Sequence, residues 1–135
     1  MWIEPKTDWT PEDVYNLDVD LTRVEGNIHE IRTRMESLGY EVDISEKTAW
    51  TKRDFLSASE LNRILGNLQR LEEAIHVPDG LPELEEQPDQ GFFTAAIANA
   101  LERHTLALKR MLDGMEYMLV QCGTIQSGEA ALLPQ

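Results

Sequence analysis

A short stretch of this chain is written twice, KTDWT at residues 6–10 and KTAWT at residues 47–51. Reading on from Lys6 and Lys47, Thr7, Trp9, Thr10 and Asp13 fall on Thr48, Trp50, Thr51 and Asp54. One extra residue near Val19 then changes the spacing from 41 to 40, and Leu21, Arg23, Gly26 and Asn27 fall on Leu61, Arg63, Gly66 and Asn67. Val24/Ile64, Ile28/Leu68 and Ile31/Leu71 are conservative pairs in the same register. A period near 40 lies in the range of helical repeats, so the chain reads as a tandem duplication of one loop-helix unit.

Each unit opens with helix-start chemistry. Thr10-Pro11-Glu12-Asp13 offers a threonine cap, a proline at the first helical position and acids in the first turn. Thr51-Lys52-Arg53-Asp54 repeats the T-x-x-D spacing. Ser57-Ala58-Ser59-Glu60 then has the spacing of a capping box, and Asn16 takes the equivalent place in the first unit. The expectation is a Trp-bearing entry loop, one helical turn, then a longer helix.

The longer segments carry apolar residues at steps of three and four. In the first they are Leu21, Val24, Ile28, Ile31, Met35 and Leu38; in the second, Leu61, Ile64, Leu68, Leu71 and Ile75, with Leu65 beside them. Gly39 reads as the residue after the first helix, and Pro78 with Asp79-Gly80 as the end of the second. Residues 77–90, VPDGLPELEEQPDQ, hold three prolines and five acids and read as an exposed acidic linker. A third stripe follows through Ile97, Leu101, His104, Leu108, Met111, Met115, Met118 and Cys122, with Thr94 as its cap and Gly123 as its stop. Its opening, FTAAIANALER, faintly echoes FLSASELNRIL of the second unit. The tail TIQSGEAALLPQ has a β-like start and reads as an arm or a disordered end.

The fold class expected is therefore all-α. It is a three-helix, antiparallel bundle-like single domain over 1–135, with a duplicated loop-helix unit, an acidic Pro-rich linker and an extended C-terminal tail. Its parts are unit one at 6–38, unit two at 47–76, the linker at 77–91, helix three at 92–122 and the arm at 123–135.

Composition narrows the function. Hydrophobic residues make up 41% and charged residues 27%, as in a soluble globular protein. No apolar run approaches the roughly 18–20 residues needed to span a bilayer, so no membrane role is expected. The start MWIEPKTDW lacks a basic region followed by an apolar stretch, which points to synthesis in the cytoplasm. Cys122 is the single cysteine, so no intrachain disulfide forms. The net charge of −13 repels phosphate, which argues against direct nucleic-acid binding. That acidity fits either a solvated surface or a protein that mimics nucleic acid and docks on a basic partner.

Chemistry leaves little trace. His29, His76 and His104 stand on different segments, without a second ligand at helical spacing; no cofactor or metal is expected. There is no glycine-rich phosphate loop and no G-x-S-x-G, so the expectation is no enzyme. His104 reads as a core-edge histidine with a polar partner, or as a register pin. Met111, Met115 and Met118 read as core, or as an adaptable interface.

Trp9 and Trp50 admit two readings. In one, each ring folds over the base of its own helix, with Arg23 or Arg63 stacked on it or paired to Asp13 or Asp54. In the other, the indoles face outward as interface anchors. Asn27 and Asn67 complete the repeated set of interface or structural positions.

The unit K-T-x-W-T-x-x-D followed by L-x-R-[VI]-x-G-N-[IL] resembles segments of tailed-phage and prophage structural proteins. Stretches of the form KTDW…D-x-x-N…D-x-N-R-I-x-x-N-I occur there in tail, baseplate and fibre-associated chains. The matching residues are Lys6, Thr7, Asp8, Trp9, Thr10, Asp13, Asn16, Arg23, Val24, Asn27 and Ile28, and in the second copy Lys47, Thr48, Trp50, Thr51, Asp54, Asn62, Arg63, Ile64, Asn67 and Leu68. Ala49 and Ser57 depart from the pattern. The resemblance implies a structural role without catalytic residues, in a virion assembled in the host bacterial cytoplasm. The partners it implies are other virion proteins, met in a homo- or hetero-oligomer.

Overall fold

In a computed structural model the chain is described over residues 2–75 and 93–127, with side chains through residue 116. Among the described residues three helices carry the fold: α1 (Thr22–Ser37), α2 (Ala58–Ile75) and α3 (Ala95–Ser127). A five-residue π-turn, Leu17–Leu21, leads directly into α1. No strand occurs among the described residues. The Pro78 stop, the 77–91 linker, His76, the Met118 and Cys122 side chains and the end of the arm lie outside the described residues.

The three helices run parallel, which corrects the antiparallel expectation. Arg23 at the start of α1 pairs with Glu102 near the start of α3, and Arg34 near the end of α1 pairs with Asp113 and Glu116 further along α3. Between α1 and α2 the direction is read from the connecting chain. Ser45 bonds Asn67, Glu46 meets His29 and Arg32, Lys47 bonds Glu25, and Trp50 bonds Thr22. Residues 40–51 thus form a strap that runs back along the α1/α2 groove and lets α2 begin at the same end as α1. Length permits this: the 16 residues of α1 span roughly 24 Å, and ten extended residues reach roughly 33–36 Å. A segment that looks like an entry loop in sequence is a return strap.

The first strap, residues 2–10, lies the same way between α1 and α3. Ile3 bonds Asn27, the Thr7 carbonyl accepts from Arg103, and Trp9 bonds Asn99 and Glu102. Each unit is therefore strap, turn and helix.

The apolar stripes meet in one core. Leu21, Val24, Ile28, Ile31 and Met35 of the first unit and Leu61, Ile64, Leu65, Leu68, Leu71 and Ile75 of α2 are buried as expected. Among the described residues of α3 the buried apolar side chains are Ala98, Ala100, Leu101, Leu108 and Leu112. Met111 and Met115 flank them half-buried and pack against the core. The expected stripe on α3 ran a little to one side of the true one, because methionine and leucine weigh alike in periodicity while alanine at the tight N-terminal contact weighs little.

Helix ends follow local chemistry in two cases and override it in a third. Gly39, at φ +96°, closes α1. Tyr40 N–H donates to the Met35 carbonyl and Gly39 N–H to that of Glu36, the paired bonds of a Schellman motif. Ser57 Oγ accepts the Glu60 N–H and starts α2. The expected stop at Gly123 is corrected, since α3 continues through it to Ser127 and the β-like start of the tail is helical. One helical glycine is disfavoured by about 1 kcal/mol against alanine, too little by itself to end a long helix.

The extra residue of unit one has a structural counterpart. One residue inserted at the start of a helix is accommodated as a π-turn, and Leu17–Leu21 is that turn, with Val19 59% exposed on its outside. Downstream of it both units return to the same phase.

Candidate interaction site

Two buried glutamates organise the bundle, and neither was singled out in the sequence. Glu25 on α1 is fully buried and accepts four hydrogen bonds. Arg63 gives two, Nη1 at 2.7 Å and Nη2 at 2.9 Å, Trp50 Nε1 gives one at 2.6 Å, and Lys47 N–H one at 3.0 Å. Glu102 on α3 is also fully buried, receiving Arg23 Nε at 2.9 Å, Arg23 Nη2 at 2.6 Å and Trp9 Nε1 at 2.9 Å. A two-pronged guanidinium is the donor set that best matches a buried carboxylate. The hydrogen bonds to Glu102 and Glu25 in turn raise the affinity of Arg23 and Arg63 for their protons.

The clamps resolve the two readings of the tryptophans. Trp9 and Trp50 are 8% and 4% exposed, so both face inward. Each ring, however, is held by the neighbouring helix and not by its own: Trp9 by α3, Trp50 by α1. The arginines do not stack on the indoles or reach Asp13 and Asp54. Those places belong to lysines, with Lys6 Nζ 4.9 Å from the Trp9 ring and Lys47 Nζ 4.2 Å from that of Trp50. The physical reason is desolvation: a buried carboxylate recruits the guanidinium, while the π face of each indole takes a lysine whose side chain stays in contact with water.

Asn27 and Asn67, both fully buried, hold the straps by their backbones. Asn27 takes Ile3 N–H at 2.9 Å and donates to its carbonyl at 2.7 Å; Asn67 does the same to Ser45 at 3.3 and 2.6 Å. Asp13 and Asp54 close the turns, accepting the Thr10 and Thr51 N–H at 2.9 and 2.7 Å, with Lys6 and Lys47 beside them. The backbone bond from Thr51, with Lys47 behind it, lowers the pKa of Asp54 below the ordinary 3.8.

His104 stands two residues after Glu102, as Asn27 stands two after Glu25. It is buried on the α2/α3 side, with Nδ1 against the carboxylate of Glu72 on α2. In the repeat register Leu65 stands where α1 has Glu25, and Ala100 stands two residues before Glu102 where α1 has Arg23. At these positions of the α2/α3 contact, apolar residues replace the ion pair.

A signal for the glutamates was present in the sequence. Glu25 falls four residues after Leu21 and three before Ile28, inside the apolar stripe. An acid at that spacing calls for a buried cation, but nothing local says which arginine supplies it.

The network leaves two equivalent positions unused. Val14 and Phe55 each follow the turn aspartate and are 75% and 81% exposed. Beside the first turn, at the start of α3, Trp9, Pro11, Tyr15, Phe93, Ala95 and Ala98 line a cavity of about 350 Å³. Trp9 and Tyr15 rings are 4.9 Å apart and tilted 51°; Tyr15 and Phe93 are 4.6 Å apart at 57°. The Tyr15 hydroxyl is buried without a hydrogen-bond partner, and burial, then Glu102, raises its pKa far above the phenolic range. Among the described residues no three or more of His, Cys, Asp and Glu are grouped to hold a metal ion, and no helix is long and apolar enough to cross a membrane. Compared with protein-family models, with curated proteins and with solved structures, the chain matches none.

Proposed function

We propose that this chain is a non-enzymatic structural component of a tailed-phage or prophage virion, a tail, baseplate or fibre-associated connector that works by assembly with other virion proteins. One observation carries the reading. The repeated residues Lys, Trp, Asp, Arg and Asn are all spent on holding two straps against a parallel bundle, which leaves equivalent hydrogen-bonded turns ending in the exposed Val14 and Phe55. A scaffold stiffened in this way and tipped with apolar residues suits docking in a larger assembly, as exposed apolar positions beside fixed turns do in general. The resemblance of the K-T-x-W-T unit to virion proteins points the same way. The nucleic-acid-mimic reading is the weaker, because Asp20, Glu25 and Glu102 are buried in ion pairs and contribute no outward acidic face.

Particles purified from cells that produce the phage encoding this chain, probed with an antibody against it, test the proposal. Label at one end of the tail is expected. A chain found only in the soluble fraction, with none in purified particles by mass spectrometry, would overturn it.

A further inference from the structure

The two turns are built alike but carry opposite charge. The first reads Thr10-Pro11-Glu12-Asp13-Val14 and the second Thr51-Lys52-Arg53-Asp54-Phe55. Lys52, Arg53 and Glu12 are all exposed, and none of their side chains forms an ion pair or hydrogen bond within the described structure. Phe55, 81% exposed, projects beside the two free cations. The 350 Å³ cavity lies beside the turn with the free Glu12 and is walled by three tilted aromatic rings. That volume is at the low end of small-molecule pockets, which suits one more ring better than a cofactor. An aromatic anchor seated in an aromatic pocket and rimmed by opposite charges is the usual form of a strong contact between proteins.

We infer that Phe55 of one copy of this chain docks into the Trp9–Tyr15–Phe93 cavity of a second copy, with Lys52 and Arg53 set against Glu12 at its rim. The occupant is a second copy because knob and socket carry opposite charge, Lys52 and Arg53 against Glu12, and are both supplied by this chain. Both lie at the end where all three helices begin, so the contact joins bundles end to end. Made reciprocally about a two-fold axis it closes a dimer; made in one direction it continues into a ring or chain. The net charge of −13 opposes the approach, and screening at physiological salt, with a Debye length of about 8 Å, confines that opposition to short range. The contact does not depend on a virion role and is read on the purified chain alone.

Sedimentation equilibrium on the full chain, from about 1 µM to about 500 µM, measures it, a range spanning ordinary weak to moderate affinities. The wild type is expected to gain mass with concentration. Phe55→Ser removes the knob, Ala95→Phe fills the socket, and each alone is expected to weaken association about tenfold or more. Mixed one to one, the two variants still hold one intact socket and one intact knob, and are expected to pair again. Arg53→Glu, on an exposed position whose side chain forms no ion pair or hydrogen bond among the described residues, is expected to weaken association as well and to be rescued in part by Glu12→Lys. Thermal melts by circular dichroism separate loss of contact from loss of fold. A wild type that stays monomeric throughout overturns the inference, as does a Phe55→Ser variant that associates as tightly as the wild type, or a mixture that fails to pair. Capture of a different virion protein through Phe55 by a strictly monomeric chain overturns it too, while leaving the virion reading intact.

Discussion

Arg63→Ala tests the clamp directly. The substitution removes both guanidinium bonds from a fully buried carboxylate and leaves Glu25 with Trp50 Nε1 and Lys47 N–H alone. Breaking a buried ion pair by deleting one partner costs about 3–5 kcal/mol. The Arg63 side chain is 19% exposed and two neutral donors remain, so the lower end applies, about 3 kcal/mol. Against a total stability of about 5–15 kcal/mol, that lowers Tm by about 10 °C in a domain of this size. Urea unfolding followed at 222 nm measures it, with the slope expected to stay constant while the midpoint falls. Glu25→Gln in the same background keeps an acceptor for Trp50 and removes the stranded charge. It is expected to restore at least about 1 kcal/mol relative to Arg63→Ala alone, the signature of coupled neighbours. A loss below about 1 kcal/mol for Arg63→Ala, or strictly additive losses in the double variant, would show that the clamp is solvated and the burial argument wrong.

Three further outcomes follow from single features. Gly66→Ala is expected to stabilise the chain by roughly 0.5–1 kcal/mol in the same assay, because a Cβ there meets nothing within 4 Å and glycine is disfavoured inside a helix. Deleting Val19 is expected to convert the π-turn into an ordinary helical turn, leaving Asn16 and Asp20 at the three-residue spacing of Ser57 and Glu60. The fold should survive with a Tm change below about 4 °C, and a loss of cooperative melting would refute the account of the inserted residue. For pH, Asp54 has a folded pKa below its unfolded value near 3.8. Its stabilising contribution is therefore present above about pH 4 and lost as pH falls through the folded value. Asp54→Asn is expected to flatten the acid limb of the stability curve in that window, and an unchanged limb would count against the turn bond from Thr51.

How far the fold can be read from the sequence depends on the range of the interaction that decides each part. Leu21, Val24, Ile28 and their counterparts on α2 declare a buried helical face by spacing alone, and Gly39 and Ser57 set helix ends by chemistry within six residues. The antiparallel arrangement failed because a strap and a loop have the same composition; only the groove between α1 and α2 shows that Ser45 to Trp50 is bound along its length. Among the candidate site residues, Trp9, Arg23, Asn27, Trp50, Arg63 and Asn67 were legible as one repeated set. Their partners were not, because Glu102 lies 93 residues from Trp9 and Glu25 lies 38 from Arg63.

The repeat by itself determined that this chain would build the same unit twice and spend the same residues on it each time. What the tertiary structure alone decided is which helix each unit grips. A buried carboxylate must be neutralised wherever packing places it, so the indole and guanidinium of each unit turn to the glutamate of the neighbouring helix, and the two copies of one sequence become joints between different parts of one bundle.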